Sequence, residues 1–306
     1  MRVLITGATG FVGRWLTREL AAANHAVETL PPDADVTDAT AVDTAIRSCQ
    51  PDAIAHLAAV AFAPDAAADA AHTFDVAVRG TINVLEAGRC LARPPVMLVT
   101  GSGEVYGVPD PSDLPLAETA ALKPRTPYAL SKAAQESVAL AYAARYGLPV
   151  IATRSFNHAG PGQRPDFVIP ALARRVADLA AGRAPDIPLG NLQVRRDFLD
   201  VRDVVHAYRL LLEAAATNRI AHAGAVVNVC SGRSVAIGTI VEQLANLAGV
   251  EPRIRVDPSL VRPIDAPDIR GDHTLLTSIT GWQPKLPLSQ TLRDVWNEAA
   301  AGALHT

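Results

Sequence analysis

The sequence predicts an α/β protein in which a doubly wound parallel sheet is followed by a smaller C-terminal α/β region. The chain has 306 residues, more than one average domain and fewer than two full ones. In the first half, short apolar runs of strand length alternate with longer stretches of helical spacing, which is typical of βαβ units. The short runs are almost unbroken in apolar character, as expected of strands buried on both faces.

The elements follow one another in a regular order. The predicted strands of the first half are Arg2–Thr6, Ala26–Leu30, Ala53–Leu57, Val96–Thr100 and Pro149–Thr153. After about residue 155 the rhythm changes, and the later predicted elements are Ile169–Ala181, Val201–Glu213, Ile237–Ala248 and Leu288–Ala300 as helices, with Val194–Leu199 and Val226–Val229 as strands. We therefore expect a first domain over residues 1–160, with about 195–228 returning to it, and a smaller region over 161–194 and 229–306.

Composition narrows the class of protein. Hydrophobic residues make up 49% of the chain and charged residues 19%, which excludes a mostly disordered protein. The net charge is −3, from 28 basic and 31 acidic residues, so no global field attracts nucleic acid or an anionic membrane. No uninterrupted apolar run reaches 18 residues, and the polar, glycine-rich N-terminus is unlike a signal peptide.

The cysteines and the other possible metal ligands point the same way. Cys49, Cys90 and Cys230 lie far apart without paired spacing, which argues against a disulfide framework and fits a reducing cytoplasm. No set of His, Asp or Glu residues has metal-ligand spacing, so no metal site is predicted. We expect a cytoplasmic enzyme with neither a nucleic-acid partner nor a membrane partner.

A glycine-rich loop joins the first strand to the first helix, with the sequence Gly7-Ala8-Thr9-Gly10-Phe11-Val12-Gly13. Glycines at this spacing let the turn tighten, let the backbone approach a diphosphate and let the helix sit close to the strand. The helix N-terminus then offers free N–H groups and a positive dipole to the phosphates. The loop therefore predicts a Rossmann-type dinucleotide site formed by Gly7, Thr9, Gly10, Phe11, Val12 and Gly13, although glycines also mark ordinary turns.

The choice between NAD and NADP stays open at this point. A carboxylate at the end of the second strand favours NAD and an arginine favours NADP, but Pro31 and Pro32 occupy that position. Asp33 or Asp35, the latter followed by Val36, could reach the adenosine, although carboxylates are also common in surface loops.

A tyrosine and a lysine four residues apart begin a later helix. Tyr128 and Lys132 share one helix face, so the phenol and the ammonium can enter one space. A nearby cation stabilises a phenolate and is expected to lower the phenol pKa from about 10. Ser102 follows the fourth strand, at the sheet edge where ligands bind, and can hydrogen-bond a substrate oxygen.

These residues together resemble the extended short-chain dehydrogenases/reductases, in their nucleotide-sugar epimerase/dehydratase group. The resemblance rests on the three glycines, His56-Leu57-Ala58-Ala59, Ser102 in Ser-Gly-Glu-Val-Tyr-Gly, and Tyr128 with Lys132. It implies that the Tyr–Lys pair exchanges a proton with a sugar hydroxyl or carbonyl while NAD or NADP exchanges hydride, and that Leu57, Ala58 and Ala59 border the cofactor. It also implies a homodimer built on the helix of this pair and the helix before it.

One position departs from the family pattern. Ala77 stands where the family usually has Asn, and Asn83 lies too far along the helix to replace it simply. The missing Asn places in doubt the hydrogen-bond network that supports the Tyr–Lys pair in the family. Ala77 is also the feature that would favour a non-catalytic, cofactor-binding sensor or scaffold.

The reaction is suggested by two segments. The similar dehydratases carry an acid or a hydroxyl between Thr and Glu, whereas here Gly103 separates Ser102 from Glu104, so Glu104 is kept but a proton donor is missing. The second half resembles the GDP-mannose branch, with Asn157, Val168, Arg196 and Arg262 as expected substrate-binding residues. This resemblance implies reduction, by NADH or NADPH, of the C4 ketone of GDP-4-keto-6-deoxy-D-mannose to GDP-D-rhamnose. A nucleotide-sugar 4-epimerase and a GDP-mannose 4,6-dehydratase are the alternatives.

Overall fold

The structure, a computed structural model, describes residues 1–31, 34–217, 224–261 and 266–303. The elements of its first half are β1 (Arg2–Thr6), α1 (Phe11–Ala22), β2 (Ala26–Thr29), α2 (Ala39–Cys49), β3 (Ala53–His56), α3 (Ala63–Ala68), α4 (Ala70–Phe74), α5 (Gly80–Arg89), β4 (Val96–Ser102), α6 (Pro127–Tyr146) and β5 (Val150–Ser155). Those of its second half are β6 (Asn157–Ala159), α7 (Val168–Ala180), β7 (Ile187–Leu189), β8 (Arg195–Asp200), α8 (Val201–Ala216), β9 (Ala225–Val229), β10 (Ser234–Ala236), α9 (Ile237–Ala248), β11 (Ile254–Val256), β12 (Asp268–Ile269), α10 (Thr274–Thr280) and α11 (Leu288–Ala303). A π-helical turn, Asp75–Arg79, joins α4 to α5.

The main sheet is parallel throughout. Within the described ranges it has six strands in the order β2-β1-β3-β4-β5-β9. The chain moves outward from β1 to β2 and then returns to the other side of β1 with β3, so the topology switches between β1 and β3. Ligands of such sheets bind beyond the carboxyl ends of the strands at this switch point. The predicted fold class is confirmed.

Helices cover both faces of this sheet. Along β1, Val3 and Ile5 pack into the core beneath α1 and α8, whereas Leu4 packs into the core beneath α2, α5 and α6. This alternation follows from the two-residue period of a strand. Each such side chain, fully removed from water, contributes about 1.5–3 kcal/mol to stability.

The smaller region packs against the carboxyl edge of the main sheet. Its strand β8 pairs antiparallel with β10 and parallel with β6 and β12, while β7 pairs with β11. Helices α7, α9 and α11 surround a separate apolar core. Of the segment 195–228, α8 and β9 lie in the layers of the main sheet, whereas β8 belongs to the second sheet. Among the helices of the described ranges, none combines the length and the apolar character needed to cross a membrane.

Candidate active site

The glycine loop follows β1 and lies directly against the end of β3. Gly7 has a φ angle of +72°, and a Cβ atom there would lie 2.8 Å from the backbone nitrogen of Ala58. A Cβ atom on Gly13 would lie 2.2 Å from the carbonyl oxygen of Gly7. Because neither position has room for a side chain, the loop stays close to β3 and the first turn of α1 stays close to the loop.

The N-terminus of α1 faces the same edge of the sheet. Gly10 is its N-cap residue and provides no side-chain cap, so the first N–H groups, which include those of Phe11 and Val12, are held by the helix without an intrahelical acceptor. Arg14 donates to the carbonyl oxygen of Thr9 over 2.8 Å and fixes the middle of the loop. Backbone N–H groups, a positive helix end and a cradle that excludes Cβ atoms are the features that a dinucleotide diphosphate requires, so these residues fit that group.

The segment that contains Asp35 and Val36 packs against α5. The Val36 side chain is 6% exposed and leaves so little space that a Cβ atom on Gly80 would lie 2.8 Å from its Cγ2 atom. Asn83 donates to the carbonyl oxygen of Val36 over 2.9 Å, a role that sequence reasoning missed. The backbone N–H of Thr37 donates to Asp35 and lowers the pKa of that carboxyl.

The segment after β3 is tied to β1. Leu57 donates its backbone N–H to the carbonyl oxygen of Thr6 over 3.2 Å, and Ala58 donates to the Thr6 hydroxyl over 3.3 Å. Leu57, Ala58 and Ala59 therefore lie at the switch point, beside the glycine loop.

Ser102, Glu104 and Tyr128 meet at the carboxyl end of β4. Thr126 caps α6 by accepting from the backbone N–H of Ala129, and this places Tyr128 in the first helical turn. The Ser102 hydroxyl accepts from the backbone N–H of Glu104 over 3.1 Å and lies near enough to the Tyr128 phenol to act on its pKa. Burial and the Glu104 carboxylate raise the pKa of Tyr128 above its ordinary value of 10.0, against the opposing effect of Ser102.

Lys132 enters the same end of the sheet from the next turn of α6. Its side chain is 3% exposed, and its ammonium donates to the carbonyl oxygen of Thr100 over 2.7 Å and to Oε1 of Gln135 over 2.8 Å. Burial lowers the pKa of Lys132 to about 7. The expected lowering of the Tyr128 pKa is not found, because burial and the Glu104 carboxylate raise it and Lys132 does not act against them.

The expected substrate side lies across β6 and β8. Asn157 is exposed and donates to the carbonyl oxygen of Asp197 over 3.3 Å, and Val168, 40% exposed, begins α7. Nη1 of Arg196 donates to the carbonyl oxygens of Arg195 and Ala266, 2.7 Å from each.

Arg262, the remaining expected substrate-binding residue, lies outside the described residues.

Two aspartates of β8 accept hydrogen bonds from backbone N–H groups. The buried carboxylate of Asp197 accepts from the Ser231 hydroxyl and from the backbone N–H groups of Ser231 and Gly232. Asp200 caps α8 by accepting from the backbone N–H of Arg202 over 2.9 Å.

Comparisons with known proteins agree with this fold. A family model described as GDP-mannose 4,6 dehydratase matches residues 32–295. The GDP-6-deoxy-D-mannose reductase of Pseudomonas aeruginosa is 38% identical over 300 residues, covering 97% of this chain and 96% of that protein.

Solved structures agree as well. RMD from Pseudomonas aeruginosa, in complex with NADPH, matches with a TM-score of 0.90 and 37% identity over 98% of this chain and 99% of that one. A putative epimerase from Burkholderia cenocepacia J2315 matches with a TM-score of 0.86 and 35% identity, covering 98% of each chain.

The parallel sheet, the glycine loop and these matches define an extended short-chain dehydrogenase/reductase, an NAD(P)-dependent class of enzymes, and confirm the resemblance drawn from the sequence. Within that class, the chain belongs to the GDP-mannose 4,6 dehydratase family.

Proposed function

We propose that this chain reduces the C4 ketone of GDP-4-keto-6-deoxy-D-mannose to GDP-D-rhamnose with NADH or NADPH. The observation that carries the proposal is the meeting of Ser102, Tyr128 and Lys132 at the carboxyl end of β4, beside the glycine loop. The substrate class follows from the 38% identical relative, a GDP-6-deoxy-D-mannose reductase. NADPH is bound in the 37% identical structure.

The reduction needs a proton for the carbonyl oxygen, and Tyr128 supplies it. Its raised pKa keeps the phenol protonated at neutral pH, which suits an acid rather than a base. Ser102 hydrogen-bonds the carbonyl oxygen of the substrate and stabilises the negative charge that develops on that oxygen. The glycine loop and Lys132 would hold NADH or NADPH, the loop at the diphosphate and the ammonium at the ribose hydroxyls, and the reduced cofactor would supply the hydride when bound.

Gly103 and Phe156 weigh against dehydration. A Cβ atom on Gly103 would lie 3.1 Å from two atoms of the Phe156 ring, which is only 3% exposed. The site therefore has no room for the proton-donating side chain that elimination of water requires, unless a buried ring moves.

The expected substrate residues support a diphosphate-sugar ligand by their chemistry. Asn157 and Val168 are exposed at the start of the smaller region, where they can contact the sugar. We assign Arg196 of β8 to the diphosphate, because a guanidinium suits a phosphate group. We assign Arg262 to the same diphosphate on its residue type alone.

The reaction can be followed directly. Wild-type protein is incubated with GDP-4-keto-6-deoxy-D-mannose and either NADH or NADPH, and loss of the reduced cofactor is compared with formation of GDP-D-rhamnose. One equivalent of cofactor should be oxidised for each sugar reduced. Interconversion of nucleotide sugars without added NADH or NADPH would instead indicate a 4-epimerase.

A homodimer and a cytoplasmic location belong to the same proposal. Three exposed residues of α6, Ser137, Ala141 and Ala144, form a stripe of small side chains after Leu130, which is 46% exposed. Such a stripe allows a second copy of α6 to approach closely.

The three cysteines are free, as in a reducing compartment, and fractionation of cells that express the protein tests its location.

A further inference from the structure

A buried chain of hydrogen bonds connects the ammonium of Lys132 to the end of β1. Lys132 donates to Oε1 of Gln135, and Nε2 of Gln135 donates to the Thr81 hydroxyl over 2.9 Å. Nε2 of His56 lies 3.0 Å from the same hydroxyl, and Nδ1 of His56 lies 2.7 Å from the Thr6 hydroxyl. Gln135 is 1% exposed, and Thr6, His56 and Thr81 are fully buried, so water cannot replace these bonds.

The direction of each bond is determined by its neighbours. The Thr81 hydroxyl donates to the carbonyl oxygen of Ala77 over 2.6 Å, so its oxygen accepts from both Gln135 and His56. Burial, and secondarily Lys132, lower the pKa of His56 to about 3 and keep the ring neutral. His56 therefore carries its proton on Nε2 and accepts from Thr6 at Nδ1. The amide nitrogen of Gln135 faces Thr81, and its oxygen faces Lys132.

This network includes Ala77, the position at which the family usually has Asn. Ala77 contributes only a backbone carbonyl group, from the π-helical turn Asp75–Arg79. We propose that Gln135 is a positioning residue that holds the Lys132 ammonium at the end of β4, and that Thr81 and His56 fix the direction of the Gln135 amide. The use of Lys132 in turnover rests on the proposed function, whereas the hydrogen bonds do not.

The surroundings of Lys132 make this acceptor important. The carbonyl oxygen of Thr100 on β4 is the second acceptor, the neutral His56 lies on β3, and the phenol of Tyr128, with Glu104 beside it, lies one turn earlier on α6. Both acceptors of the ammonium are neutral groups. Loss of one of them leaves a buried cation with a single partner, which is costly.

The rarity of lysine allows a direct test on the unliganded protein. The chain has three lysines, Lys123, Lys132 and Lys285, so lysine labelled with ¹³C at Cε gives three signals to follow by NMR against pH. The signal lost in Lys132→Met is that of Lys132. Gln135→Leu should lower the pKa of Lys132 by about one pH unit, the size of a lost hydrogen bond to a charged group, whereas Gln135→Glu should raise it. Gln243→Leu, the same change in α9, should leave it unchanged.

Steady-state kinetics supplies the second readout. Gln135→Leu should lower kcat about 10-fold and displace the pH profile of kcat in the same direction as the Lys132 titration. Thr81→Val should reproduce part of this effect, and Thr81→Ser, which keeps the hydroxyl, should restore it.

The outcomes separate this inference from the proposed function. A Gln135→Leu protein that folds, but whose Lys132 titration and pH profile match the wild type, overturns the positioning role. If the Lys132 titration moves as expected while the wild type does not reduce the keto sugar, the positioning role stands and the proposed reaction fails.

Discussion

At the scale of single residues, the surroundings of a group determine its chemistry as much as its type does. Tyr128 and Lys132 have the spacing of a catalytic pair, but burial moves their pKa values in opposite directions, raising that of the phenol and lowering that of the ammonium to about 7. At neutral pH the phenol therefore keeps its proton, while the ammonium titrates in that range. Gly103 acts by having no side chain, because Phe156 fills the space beside it.

The contact between Gly103 and Phe156 predicts a loss of stability on substitution. Gly103→Ala should destabilise the protein by about 1–3 kcal/mol, because the added methyl group overpacks a buried ring. Gly238→Ala is the matched control, since a Cβ atom there lies no closer than 3.5 Å to its neighbours and Gly238 is helical. Thermal unfolding of the two variants checks this prediction. An equal Tm for both would show that the Phe156 ring moves aside without a loss of stability.

At the scale of elements, helix α6 serves three purposes with different faces. Its buried face presents Tyr128, Lys132 and Gln135 to the site, and Glu136 forms an ion pair with Arg154 of β5 at 2.7 Å. Ala139 and Ala143 are fully buried in the core, so these two alanines of α6 are not available to a partner. The exposed residues Ala141 and Ala144 lie on the remaining face.

That exposed face predicts the oligomeric state. Ala141→Arg should convert a dimer to a monomer in size-exclusion chromatography with light scattering, because a long charged side chain prevents close packing of two α6 helices. Ala180→Arg, at an exposed position at the end of α7, is the control and should remain dimeric. A dimer that persists in Ala141→Arg would place the interface elsewhere.

At the scale of the whole molecule, an ion network joins α1 to α8, two helices that are far apart in the sequence. Arg209 of α8 contacts Glu19 of α1 and Glu213, and His25 contacts Glu213 at 2.9 Å. Burial alone would raise the pKa of both glutamates, but the hydrogen bonds from Arg209, His206 and His25 outweigh it and lower both values.

The network predicts how stability depends on pH. A carboxyl whose pKa is lowered on folding contributes stability above its unfolded value of 4.5, and this contribution is lost as the pH falls through the lower folded value. Glu213→Gln should therefore lower the Tm by about 1–3 °C at pH 7 and by less as the pH falls below about 4. Thermal scans of both proteins across this range check the prediction, and a Tm difference that does not change with pH would contradict it.

The sequence predicts the larger features of this fold well, because they depend on local patterns. The bounds of β1 and α9 agree with the periodicity, and the glycine loop lies where its spacing places it. The strands β7, β10, β11 and β12 were missed because two or three residues carry no readable period.

The supporting contacts of the site were missed for a different reason. Thr6, His56, Thr81 and Gln135 come from separate parts of the chain, and no spacing in the sequence relates them. The contacts of Arg196 with Ala266 and of Asp197 with Ser231 likewise depend on how distant segments fold together.

The proposed reduction depends on Tyr128 as the donor of the proton to the keto sugar. The most direct measurement compares Tyr128→Phe with the wild type in two ways, by kcat with GDP-4-keto-6-deoxy-D-mannose and by the Kd of NADH and NADPH measured without the sugar. Loss of a general acid should lower kcat by about 10²–10⁴-fold while the Kd stays within about 3-fold, because the ring keeps its packing. A Tyr128→Phe protein that reduces the sugar at the wild-type rate would show that Tyr128 is not the proton donor.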